Sequence, residues 1–123
     1  MKYLLVLCLV LTGCAAKFSQ TNYDRMVDVA AITRNGDTVC ATTDSMQANF
    51  IRIYNDTVWA LEDAAGRGDT DLVKMLTEQL DEIDRFRDML HKGNVSQFFC
   101  KQKVKNIYDT AILITKSEGN KLK

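Results

Sequence analysis

Residues 66–90 read GRGDTDLVKMLTEQLDEIDRFRDML. Leu72, Met75, Leu76, Leu80, Ile83, Phe86 and Leu90 recur at steps of three and four, the period of a helix with one apolar face. The opposite face is charged, with Glu78, Asp81, Glu82, Asp84 and Asp88 and with Arg85 and Arg87 between them. Gly66-Arg67-Gly68 breaks whatever helix precedes, and Asp69 is a good N-cap for the one that follows. The stretch therefore reads as the second arm of a helical hairpin, and it commits the chain to an all-α fold.

The neighbouring segments repeat the pattern. Upstream, Thr43 or Asp44 opens a helix whose apolar face is Met46, Phe50, Ile53, Tyr54, Val58, Leu61 and Ala65, with Trp59 at its flank. Before it, Thr21-x-x-Asp24 resembles a capping box and Tyr23, Met26, Val27, Ala30 and Ala31 make a stripe. Arg34-Asn35-Gly36-Asp37 ends that helix and leaves Cys40 in a loop. Downstream, Lys92-Gly93 terminates the hairpin and Asn94-x-x-Gln97 caps a last helix. Its stripe of Cys100, Val104, Ile107, Ala111 and Ile114 is widened by Phe98, Phe99, Tyr108 and Ile112. The expectation is a small four-helix up-down bundle over residues 21–117, with 118–123 a frayed tail. The absence of proline and the presence of only 6 glycines argue against a sandwich.

The N-terminus has a different character. Met1 to Cys14 reads MKYLLVLCLVLTGC: one lysine, an unbroken apolar run of about ten residues, then Thr12 and Gly13 before a cysteine. The run is far short of the ~20 residues needed to cross a bilayer, which favours a cleaved secretory signal over residues 1–13. An apolar but cytosolic N-terminus is the competing reading. Leu11-Thr12-Gly13-Cys14 resembles the lipobox of bacterial lipoprotein precursors. That resemblance implies that Cys14 becomes the first mature residue and carries the lipid, palmitate included. It also implies that Ala15, standing where an inner-membrane retention aspartate would be, sends the protein to the outer membrane facing the periplasm. Residues 14–20 would then be the lipidated cysteine and a tether, six residues spanning at most ~20 Å.

Removing 13 of the 123 residues leaves 110, enough for one domain with its own core. Of the four cysteines, Cys8 leaves with the signal and Cys14 takes the lipid. Cys40 and Cys100 remain as an even pair in an oxidising compartment, so a disulfide is expected. A metal site would want further ligands beside the single His91, and a reactive dithiol would want C-x-x-C. Charge is uneven. Asp24 to Leu90 holds 14 acids against 7 bases, a net of −7, while His91 to Lys123 holds 2 acids against 7 lysines, a net of +5. The basic last helix either complements its acidic neighbours or faces anionic lipid or an acidic partner.

No stretch carries a catalytic constellation. His91 has no triad partner in any motif, and the acids from Asp81 to Asp88 lack the spacing and glycine of a calcium loop. Residues 64–76 resemble one ankyrin helix pair but occur once, so they read as a simple hairpin. The segment most suggestive of recognition is Phe98 and Phe99 beside Lys101, Lys103 and Lys105. Either both rings are covered by the first helix or the tether, or they form an exposed aromatic-basic patch for a partner.

The functional expectation is a membrane-anchored, non-enzymatic lipoprotein that binds an envelope or periplasmic protein. It has no metal, no cofactor beyond the lipid on Cys14, and no nucleic-acid or small-molecule partner. The architecture is similar to the pilotins of type II secretion, whose disulfide joins an early loop to the last helix and which fold around a helical segment of the secretin. An exclusion or inhibitor lipoprotein fits equally. The alternatives are a self-associating structural component of the envelope and a cell-wall enzyme or its accessory.

Overall fold

A computed structural model describes residues 18–93 and 95–122. The expected signal, Cys14 and tether residues 15–17 lie outside the described residues, as does Asn94. Among the described residues all regular structure is helical: α1 Gln20–Thr33, α2 Gly36–Val39, α3 Thr43–Gly66, α4 Thr70–His91 and α5 Gln97–Asn120.

Each start is fixed by a side chain that accepts from an otherwise unbonded backbone N–H. Ser19 Oγ accepts from Asn22 N at 3.1 Å, Thr42 Oγ1 from Ser45 N at 3.0 Å and Ser96 Oγ from Phe99 N at 3.1 Å. Asp69 Oδ1 accepts from Leu72 N at 3.3 Å, as its position after Gly68 leads one to expect. Gly68, at φ +72°, supplies the left-handed turn that reverses the chain between α3 and α4. The first helix thus begins with Ser19 rather than with a Thr21–Asp24 box. Ser19 and Gln20, expected in the tether, belong to the folded domain, and Ser19 is buried. Asn35 Oδ1 accepts from Thr38 N, so the loop expected before Cys40 is instead the one-turn helix α2.

α1 packs along both α3 and α5, and α3 packs along α4; α4 meets α5 over a much shorter stretch. The core is built on three rings. Phe50 of α3 stacks on Phe86 of α4 at 4.2 Å between centroids, and Phe86 lies 6.1 Å from Phe99 of α5. Such pairs contribute about 1 kcal/mol each beyond the area they bury. The stripe Cys100, Val104, Ile107, Ala111 and Ile114 is wholly buried, as its spacing implies.

Three faces differ from the sequence pattern. In α1 the inward set is Asn22, Met26, Val29, Ala30 and Thr33, and Val27 turns outward. In α3 the inward set runs through Thr57, Ala60 and Ala64, while Ala65 is exposed and Trp59 is 55% exposed. In α4 Gln79 is buried and Leu80 only partly so.

Cys40, capping the end of α2, is disulfide-bonded to Cys100 in the first turn of α5, with Cα atoms 5.8 Å apart and both residues fully buried. At the other end of the molecule, the expected frayed tail is helical to Asn120. Glu118 is 1% exposed and Lys121 Nζ lies 3.0 Å from both Asp69 Oδ2 and Glu118 Oε1. The tail's order rests on charges, which apolar periodicity does not register.

Candidate functional site

The short contact between α4 and α5 leaves a seam with two adjoining clefts that share Met75. One, of about 430 Å³, runs past Met75, Gln79 and Glu82 on α4 to Asn106 and Thr110 on α5. The other, of about 210 Å³, continues past Leu72 and Ile114 to Ser117 and Glu118. The second cleft has an apolar floor, since Leu72 and Ile114 are core residues, whereas in the first the half-buried Met75 is the one apolar side chain of a lining that is otherwise polar or charged. Two ion pairs bridge the seam at its ends. Lys103 Nζ sits 2.6 Å from Glu82 Oε2, and Lys121 reaches Asp69.

Those bridges set the local electrostatics. The hydrogen bond from Lys103 holds the Glu82 carboxyl below its ordinary range, against a smaller opposing effect of burial. Burial pulls the Lys121 ammonium down, but hydrogen bonds to Asp69 and Glu118 outweigh it and the net shift is upward. Glu82 also accepts from Arg85 at 3.3 Å.

The aromatic and basic residues around Cys100 separate. Phe98 is 72% exposed, whereas Phe99 is half-buried against Phe86 with Lys103 Nζ over its ring at 5.5 Å. Each lysine has an acid: Lys101 pairs with Asp37 at 2.7 Å, Lys103 with Glu82, and Lys105 with Asp109 at 2.8 Å. The hydrogen bond from Lys101 lowers the pKa of Asp37. Of the five residues, Phe98 alone presents a large apolar surface.

A second polar site lies between α1 and α3. Asp56 is 5% exposed; its Oδ1 accepts from Arg25 Nη1 at 3.3 Å, and its Oδ2 meets no donor among the described residues. Burial, followed by the neighbouring Asp28 carboxyl, pushes Asp56 up to about 7 against the opposing pull of Arg25. A third site clamps the start of α1. Ser19 N–H donates to Glu118 Oε2 at 3.1 Å, Ser19 Oγ to Asp63 Oδ2 at 2.6 Å, and Asn22 Nδ2 to the same Asp63 oxygen at 2.7 Å. Arg67 Nε lies 3.0 Å from Asp63 Oδ2.

Sequence reasoning placed Met75 in the core and the acids of α4 in solvent, and it assigned no role to Asn106, Thr110 or Ser117. Their spacing of four and seven on α5 marks one polar strip, but only the tertiary structure sets it opposite α4. Among the described residues no group of three or more His, Cys, Asp or Glu is placed to hold a metal ion, and no helix is long and apolar enough to cross a membrane. Compared with protein-family models, curated proteins and solved structures, the chain gave no match.

Proposed function

We propose that this chain is a lipid-anchored lipoprotein of the outer membrane, facing the periplasm, that acts without catalysis by binding an envelope protein. The open seam between α4 and α5 carries the binding half of this reading. Leu72, Met75 and Ile114 set between polar and charged rims have the form of a groove that takes a partner's side chains. Leu11-Thr12-Gly13-Cys14 followed by Ala15 supports the anchor. The Cys40–Cys100 disulfide suits an oxidising compartment. Four long helices joined by short connections support an up-down four-helix order, and a disulfide from near α2 to the last helix supports the likeness to pilotins.

In this arrangement the lipid on Cys14 localises, the disulfide stiffens the end away from Ser19, and recognition falls to the seam, with Phe98 as a second contact. Cell fractionation of Cys14→Ala tests the anchor. The variant is expected in the soluble periplasm, and its retention in membranes would refute the lipobox reading. Crosslinking in cells, followed by mass spectrometry, tests the binding half; a chain that crosslinks to no protein is not a binding module.

A further inference from the structure

The two rims of the α4–α5 seam are chemically unequal, and the inequality points to what fills it. Asp71, Glu78 and Asp81 on α4 are exposed, line the clefts, and form no ion pair among the described residues. Positions 71, 78 and 81 are seven and three apart, so they share one face of the helix. The remaining acids of the seam are engaged: Glu82 with Lys103 and Arg85, and Asp69 and Glu118 with Lys121. On the α5 side Asn106, Thr110 and Ser117 are uncharged, and the charges of Glu118 and Lys121 at its end are paired with each other. From residue 71 to residue 82 the rim rises about 16 Å, three turns of helix.

We propose that the seam binds a basic amphipathic helix of a partner protein. Its apolar residues would lie on Met75, its Lys or Arg side chains would face Asp71, Glu78 and Asp81, and its small uncharged residues would face Asn106 and Thr110. A cleft between two helices accepts a third helix by its apolar face, and unpaired charges on one rim fix its direction and register. A second copy of this chain suits the seam less well. Its own basic helix, α5, has Lys101, Lys103 and Lys105 already bound to carboxylates. The proposal rests on the protein-binding reading above and adds the chemistry of the partner.

The test uses the full mature chain in neutral-lipid nanodiscs, with empty nanodiscs as the blank. The probes are two labelled 18-residue amphipathic helices of equal apolar content, one carrying lysines on a flank and the other glutamates. The lysine helix is expected to bind. Glu78→Lys with Asp81→Lys should weaken it at least tenfold, while Glu62→Lys with Asp84→Lys, an equal change of net charge on exposed positions outside the seam, should leave it within twofold. Equal weakening by both pairs, equal binding of the glutamate helix, or no binding of the lysine helix overturns the proposal. A photo-crosslinker at position 75, in cells, separates this from the underlying reading. A crosslinked partner segment that is basic and helical supports the proposal. A partner joined through any other kind of segment overturns it but leaves the binding reading standing, and so does a second copy of the chain with respect to the proposal. No protein crosslink at position 75 or position 98 overturns both.

Discussion

Arg25 Nη1 lies 3.3 Å from one oxygen of Asp56, while the other oxygen of that buried carboxyl meets no donor among the described residues. One guanidinium contact does not satisfy a buried carboxylate, so a proton is favoured on Asp56 in the folded state. Its folded pKa of about 7 exceeds the ordinary 3.8, so its contribution to stability is fully present below about 3.8 and is lost as pH rises through 7. Urea denaturation should therefore show the protein gaining about 3 kcal/mol from pH 8 to pH 5. Asp56→Asn, neutral at every pH, should flatten that slope. An unchanged slope in the variant would assign the pH dependence elsewhere.

Glu118 serves the Ser19 backbone N–H, 99 positions away, together with Lys121. Removing its carboxyl leaves the buried Ser19 donor without its acceptor and the half-buried Lys121 ammonium with Asp69 as its remaining one. Glu118→Ala should cost about 3 kcal/mol by chemical denaturation. Glu118→Gln, which keeps one acceptor oxygen, should cost less. A loss below about 0.5 kcal/mol in the alanine variant would mean that the tail contributes little to the fold.

Replacing Cys40 and Cys100 together by serine should lower stability by about 4 kcal/mol on the chain-entropy account of a loop this long. Because both cysteines are fully buried, alkylation under native conditions should fail until the protein is both reduced and unfolded. Ready native labelling would contradict the burial.

The adjacent rings Phe98 and Phe99 should respond oppositely. Phe98→Ala, at an exposed ring, should change stability by under about 0.5 kcal/mol. Phe99→Ala, which strips a ring from the Phe86 stack and from under Lys103, should cost about 2 kcal/mol. Thermal melts of the two variants decide it, and equal losses would show that Phe98 is covered.

What the sequence made legible follows from how burial is signalled. The stripe from Cys100 to Ile114 is long, apolar and strictly spaced, so the inward face of α5 could be read without the structure. The inward face of α3 could not, because it is carried by Thr57, Ala60 and Ala64. Small side chains give little hydrophobic signal even where they are fully buried. Glu118 and Asp56 were equally opaque. A carboxyl is buried only where distant partners or a proton compensate it, and neither is a local property of the chain. The seam lay beyond periodicity for another reason: it arises from two helices that fail to meet along their length. The aromatic-basic group was legible as a composition but not as a surface, since three acids outside or along the motif take up its lysines.

The clamp on Ser19 has a mechanical consequence. Tension applied to the chain through Phe18 reaches Ser19 first, and Ser19 is bonded to Asp63 of α3 and Glu118 of α5. The load is therefore divided at once among three helices, which must be sheared past one another. Without those two bonds the load would enter through α1 and reach α3 by way of Asn22 and Arg25 in turn, so the helix could peel away one turn at a time. A domain pulled from its N-terminal side should accordingly yield at high force and in a single step, with the Ser19 bonds as the first to break.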